Sequence, residues 1–176
     1  MAIIIRGAEP WDAAALSRLG AQTFRDTFES SNTAEDMAQY LANNFNRELQ
    51  AAEIADRSAI VLFAEERTDA GVASLVGYAQ LVSGETPACV RGPVPMELKR
   101  FYVDRAWHGK GVAQAVMDRV LEAARSRGAQ TLWLGVWERN PRAVAFYGKY
   151  GFARVGEHTF VLGTDVQIDW LFARPL

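Results

Sequence analysis

Apolar positions along the chain alternate between two spacings, and each change of spacing marks a change of element. Residues 2–6 form a short β-branched run and predict a first strand. From Pro10 the spacing turns helical, with Leu16, Leu19, Phe24 and Phe28 lining one side. Thr33 followed by Asp36 marks a second helix start, although Asp is a poorer capping-box partner than Glu. Met37, Tyr40, Leu41 and Phe45 then continue the helical spacing. Residues 47–56, polar and Ala-rich, predict a further short helix.

Two extended apolar runs follow at 60–65 and 71–82, with a turn at 67–71 between them, which predicts an antiparallel hairpin. Residues 83–95 hold Gly84, Gly92, Pro87, Pro93 and Pro95 and predict a loop. A strand at 97–103 leads into a helix at 109–127 that turns Val112, Val116, Val120, Leu121 and Ala124 inward and stops at Gly128. Residues 131–137 read as a buried strand, and 140–150 as a short helix stopped by Gly151. Two last strands, 152–162 and 166–173, are joined at Gly163-Thr164-Asp165. Strand, helix and strand across 97–137 require one parallel crossover, while the other connections favour antiparallel pairing. The expected class is α+β, a seven-stranded sheet that is mostly antiparallel.

Composition narrows the functions open to such a domain. The 176 residues are 49% hydrophobic, enough for one domain spanning 1–176 with a real core. A net charge of −2 gives no electrostatic reason for a nucleic-acid or anionic-membrane partner, and is weakly compatible with a cationic substrate. Cys89 is the single cysteine, so no disulfide forms within the chain, and a reducing cytoplasm is expected. The N-terminus lacks the apolar run of a signal peptide, and no 18-residue apolar window predicts a membrane span. Two histidines and one cysteine make a structural zinc site an unpromising reading, and no metal is expected.

The chemistry concentrates where strand 97–103 gives way to a helix. Gly109 and Gly111 strip side chains from that turn and leave its backbone N–H groups open. Together with the positive end of the helix dipole they make a cradle for a phosphate or pyrophosphate. One strand later, Asn140-Pro141 opens a helix that carries Tyr147 and ends at Gly151-Phe152.

The segment from His108 to Ala113 (His-Gly-Lys-Gly-Val-Ala) resembles the (Gln/Arg)-x-x-Gly-x-(Gly/Ala) element of the GCN5-related N-acetyltransferase (GNAT) superfamily. The segment from Asn140 to Phe152 resembles that superfamily's Asn-x-x-Ala…Tyr…Gly-Phe element. The resemblance covers nearly the whole chain. It implies acetyl-coenzyme A as co-substrate, its pyrophosphate on the backbone of His108, Gly109, Lys110, Gly111, Val112, Ala113 and Gln114. It also implies a pantetheine arm paired like an added strand with main-chain groups of Phe101 and Val103, and an acetyl group in a gap beside strand 131–137. Asn140 would bond the cofactor arm or cap its helix. His108 departs from the usual Gln or Arg and would reach phosphate or merely cap the turn.

The resemblance also implies roles in the reaction. A protonated amine, with a pKa of about 10 for a lysine-like group, cannot attack a thioester until a base removes its proton. Tyr147 stands where the superfamily places the acid for the leaving thiolate. A glutamate used as base by some relatives falls at Gly135 and is missing. Glu97 holds a second such position. Strict alternation would put Glu97, Lys99, Phe101 and Val103 on one face, and Glu138 is a backup.

The acceptor segments resemble the bacterial PaiA-like spermidine/spermine N-acetyltransferases. Phe24, Phe28, Tyr40, Trp137 and Glu138, with Glu29, would supply the aromatic walls and carboxylates that suit a polyamine. The plainer reading puts most of these aromatics in the core. Three functions stay open: a small-amine acetyltransferase, an acetyltransferase of protein N-termini or lysines, and a coenzyme A sensor without turnover. The apolar tail 168–176 is compatible with a homodimer without requiring one.

Overall fold

A computed structural model describes residues 2–68, 71 and 73–176. Seven strands form one sheet: β1 (Ala2–Gly7), β2 (Ala59–Arg67), β3 (Ala73–Val82), β4 (Pro95–Val103), β5 (Thr131–Trp137), β6 (Ala153–Leu162) and β7 (Asp165–Pro175). Their order is β1-β2-β3-β4-β5-β7-β6. Every neighbouring pair is antiparallel except β4–β5, which is parallel and is crossed by a helix. The expected class and strand count hold. Asp69, Ala70 and Val72, on which part of the expected turn and strand start falls, lie outside the described residues.

Among the described residues five α-helices cover the sheet: α1 (Ala13–Phe28), α2 (Ala34–Asn44), α3 (Arg47–Ala55), α4 (Val112–Ser126) and α5 (Pro141–Lys149). Their starts follow the capping chemistry of the sequence. The Thr33 hydroxyl accepts from Asp36 N–H at 3.1 Å, and Asn140 Oδ1 accepts from Ala143 N–H at 3.1 Å, with Pro141 in the first turn. Gly128 and Gly151 follow α4 and α5 with φ of 80° and 79°, a left-handed exit open to glycine. Helix α4 starts at Val112 and not at Gly109, because Gly111 at φ 83° cannot continue a right-handed helix.

Side chains alternate between the two faces of the sheet. On one face Leu62, Ala79, Leu98, Leu132 and Leu134 pack under α4, against Val116, Met117 and Val120. Each of these Leu, Val and Met side chains contributes about 1.5–3 kcal/mol by leaving water. On the other face Val61, Phe63 and Tyr78 meet Leu16 and Leu19 of α1, and Phe24, Phe28 and Phe45 form an aromatic cluster with Met37 and Leu41.

Strand β4 corrects one expectation. Its register against β3 steps from Gln80↔Arg100 to Leu81↔Leu98, so Lys99 is the extra residue of a β-bulge. The bulge reverses the alternation. Phe101 and Val103 pack on the α4 side with Leu98, whereas Arg100 lies over the Phe45 ring on the opposite side. Glu97 therefore shares a face with Arg100 and Tyr102, not with Phe101 and Val103.

The β6–β7 hairpin is tighter than expected. Leu162 pairs with Asp165, leaving the two-residue loop Gly163-Thr164, with glycine first as a type II′ turn requires. Asp36 of α2 seats on this loop: the Thr164 hydroxyl donates to Oδ2 at 2.7 Å and Thr164 N–H donates to Oδ1 at 3.2 Å. A Cβ at Gly163 would fall 1.9 Å from Asp36 Oδ1, and its φ is +60°. No helix among the described residues is long and apolar enough to cross a membrane.

Gly163→Ala should therefore lower the unfolding free energy by at least about 1 kcal/mol, the left-handed penalty alone. Gly84→Ala, where nothing lies within 4 Å, should leave it almost unchanged. Urea midpoints of the two variants check this, and equal midpoints would contradict the seat.

Candidate active site

Pairing between β4 and β5 lasts three residue pairs, Pro95↔Thr131, Met96↔Leu132 and Glu97↔Trp133, and then the strands part. Beyond this fork β4 keeps β3 on one side and has no strand on the other. Asp104 N–H donates to Val76 of β3, while the Val103 carbonyl faces away and accepts from His108 Nε2 at 2.9 Å. By alternation the main-chain groups of Phe101 point into the fork with those of Val103. A cavity of about 1220 Å³ runs through the gap and opens on both faces of the sheet.

On the α4 face the cavity passes along Phe101 and Val103 to the turn before α4. Gly109 and Gly111 have φ of 76° and 83°, and nothing lies within 4 Å of where their Cβ atoms would be. The N–H groups of the first turn of α4 are thus unobstructed, as an anion cradle requires. The side chain of Val112 belongs to the core, 1% exposed, so this residue can offer only its backbone. Lys110 lies over the Trp107 ring, with Nζ 4.9 Å from the centroid. Ala113 and Gln114 line the cavity, as does Asn140, whose side chain is already the cap of α5.

His108 takes the capping role. With Nε2 donating to a carbonyl, Nδ1 is an acceptor, and Arg142 of α5 donates to it at 2.5 Å. The imidazole thus ties β4 to α5 across the mouth of the groove.

Tyr147 is 7% exposed and packs edge-on against Phe101, Phe146 and Phe152, with centroids 6.1, 5.6 and 5.7 Å away. It lines the cavity from the α4 face. Burial pushes its phenol well above the ordinary tyrosine value, so it carries its proton throughout the neutral range.

The opposite face of the fork is aromatic and acidic. Phe24 is core, 3% exposed, and backs the wall by stacking on Tyr40 at 4.6 Å. Half-buried Tyr40, Trp137 and Phe160 complete the wall with Phe28: Phe28–Trp137 centroids are 5.3 Å apart and Tyr40–Phe160 5.8 Å. Glu97 stands at the floor, and burial raises its carboxyl above the ordinary range, partly offset by Lys99 and His158. Asp169 is raised for the same reason. Arg100 is neutralised by Glu53 at 2.6 Å and bonded by Gln50 at 3.2 Å.

Two expected carboxylates are not brought to the cavity. Glu138 lies 3.9 Å from Arg139 and Glu29 lies 4.0 Å from Arg25, and neither is among the lining residues. Reading the sequence missed Phe160, His158 and Asp169. The signal for them was the Gly163-Thr164 loop, because counting outward from a two-residue loop places His158 opposite Asp169.

The sequence model of the acetyltransferase (GNAT) family matches residues 21–152. The chain belongs to this family. An uncharacterized N-acetyltransferase from the pepI 3′ region of Lactobacillus delbrueckii subsp. lactis is 35% identical over 158 residues, covering 90% of this chain and 88% of that one. An uncharacterized N-acetyltransferase of Mycobacterium tuberculosis is 33% identical over 165 residues, covering 94% and 98%. Among solved structures, the PaiA N-acetyltransferase of Thermoplasma acidophilum in complex with coenzyme A superposes over the full length of both chains with a TM-score of 0.78 at 18% identity. That likeness is one of fold. Family membership makes this chain an N-acetyltransferase, and the fork lies within the matched residues.

The raised carboxyl of Glu97 has a testable cost. Its neutral form is favoured in the folded state, so its contribution to stability is present at acid pH and is lost as pH rises through the folded-state value. Glu97→Gln should therefore be more stable than the wild type at pH 7 and equal to it near pH 3. Urea unfolding at both pH values checks the sign, and a less stable variant at pH 7 would contradict it.

Proposed function

We propose that this N-acetyltransferase moves an acetyl group from acetyl-coenzyme A to a primary amine of a small cationic molecule, with polyamines the class that the cleft suits best. One observation carries the reading. The fork joins a groove on one face, which runs along the free edge of β4 to the open glycine turn before α4, to an aromatic, acidic cleft on the other. A cofactor arm and a cationic amine can thus meet in the gap from opposite sides.

The groove fits the donor. Phe101 and the N–H of Val103 offer main-chain groups to an amide-bearing arm, as a sheet edge does to an added strand, while the Val103 carbonyl is held by His108. The N–H groups of Gly109, Gly111, Val112, Ala113 and Gln114 suit the diphosphate, while Lys110, whose N–H is given to Trp107, adds positive charge near it. Acetyl-coenzyme A, when bound, supplies the activated acyl group. The work of the chain is to hold it, to bring the amine in and to move protons.

Protons move at both ends. Glu97, on the cleft face, draws the ammonium to the fork, beside water that takes up its proton. Tyr147, on the α4 face, donates to the departing thiolate. Acid and carboxylate thus stand on opposite sides of the reacting bond, where nucleophile and leaving group must be. The walls of Tyr40, Trp137, Phe160 and Phe28 suit further ammonium groups of a polyamine, each cation–π contact being worth ~0.5–2 kcal/mol. A reducing compartment such as the cytoplasm suits the lone thiol of Cys89.

Thiol release from acetyl-coenzyme A tests the reading, with spermidine, with a peptide bearing a free N-terminus and with no acceptor. Spermidine should be acetylated with the higher kcat/KM. Turnover with the peptide alone would transfer the reading to protein acetylation, and no turnover with any amine would leave a coenzyme A-binding protein. Tyr147→Phe should lower kcat by ~10²-fold with little change in the KM for acetyl-coenzyme A, the scale of general acid catalysis. An unchanged kcat across pH would remove Tyr147 from that role.

A further inference from the structure

The hairpin register places His158 of β6 directly opposite Asp169 of β7, with His158 Nε2 and Asp169 Oδ2 3.8 Å apart. Both polar atoms turn toward β5. A Cβ at Gly135 would lie 3.4 Å from His158 Nε2 and 3.6 Å from Asp169 Oδ2. Gly135 is two residues beyond Trp133, the last residue of β5 to pair with β4. The imidazole and the carboxylate therefore border the space above Gly135, in ordinary van der Waals range of a Cβ there, beside the opening of the fork. Both line the cavity, with the His158 side chain 48% exposed and that of Asp169 17%.

Other elements present few charges to this pair. Glu97 faces it from β4, with Lys99 behind, and Tyr40 faces Asp169 from α2. The pair therefore meets one carboxylate, one lysine and one tyrosine, beside an aromatic wall.

We propose that the His158 imidazole, through the ring nitrogen not turned to Asp169, accepts the proton that the acceptor ammonium must lose, with Asp169 as its positioning residue. This rests on the amine-acetylation reading above and assigns the step that reading leaves to water near Glu97. An imidazole is intrinsically a stronger base than a carboxylate, so it takes a proton from an ammonium at a smaller uphill cost. Glu97 keeps the part of drawing the cation in. The protons balance. The ammonium gives one to that nitrogen of His158, and its freed lone pair forms the N–C bond as the C–S bond breaks. The thiolate takes the proton of Tyr147, and the second proton of the nitrogen replaces it. The imidazolium releases its proton to water, so an ammonium and a thioester become an amide, a thiol and one proton.

His158→Gln should lower kcat for spermidine at pH 7 by ten- to a hundredfold and leave the KM for acetyl-coenzyme A within twofold. The wild-type rate should level off with pH once the base is unprotonated. The variant rate should go on rising through pH 9, because only amine already neutral in solution reacts. Imidazole in the buffer should partly restore His158→Ala. Asp169→Asn should shift the midpoint of the wild-type pH profile, which a merely structural role would leave in place. A second readout needs no turnover. The chain has two histidines, and spermidine added without acetyl-coenzyme A should move the ring resonances of His158 and leave those of His108 in place. A His158→Gln variant with at least half the wild-type kcat and the same pH profile, in an enzyme that does acetylate spermidine, would overturn the proposal and spare the function. A wild type that acetylates no amine would overturn both.

Discussion

The parallel pairing of β4 with β5 ends after Glu97↔Trp133, and the site depends on that ending. A strand edge inside a sheet is costly to leave unpaired, because each backbone N–H and C=O loses its water without gaining a partner. Here the exposed edge faces a cavity and ends on open glycine amides at the start of α4. Apart from the Val103 carbonyl, which His108 takes, it therefore holds donors and acceptors of the kind an amide-bearing cofactor arm can complete. The gap is also the passage between the two faces of the sheet, so a group held in it is reached by Tyr147 from one side and by Glu97 from the other.

The bulge at Lys99 makes this division of labour possible. Without the extra residue Glu97 would share the α4 face with Phe101, and acid and carboxylate would crowd one side of the reacting bond. With it, Phe101 lines the groove with Tyr147, while Glu97 looks into the aromatic cleft. The cleft in turn depends on α2, which Asp36 fastens to the β6–β7 loop, setting Tyr40 against Phe160. The fastening also accounts for the imperfect capping box at Thr33. Asp36 does not serve as a glutamate would in the cap, because its carboxylate is used by Thr164.

Much of the fold was legible in the sequence because it is written in local chemistry. Caps at Thr33 and Asn140, the proline at 141 and the glycines at 128 and 151 act within one or two turns of chain, and the elements begin and end close to them. The groove was legible for the same reason, since Gly109 and Gly111 mark it directly. The bulge was not. Glu97, Lys99, Phe101 and Val103 alternate as any regular strand would, and only the pairing with β3 shows that one residue is extra. The aromatic positions split by long-range packing, which sent Phe24 to the core and left Tyr40 and Trp137 on the wall. His158 and Asp169 carry no motif and become neighbours only through hairpin register.

Protection of backbone amides from hydrogen exchange, measured with and without coenzyme A, tests most directly that the fork is the donor site. Saturating coenzyme A should protect the amides of Phe101 and Val103 together with those from Gly109 to Gln114, and leave β1 and β2 unchanged. Binding of coenzyme A without new protection along 101–103 would show that the parted strands do not hold the cofactor arm.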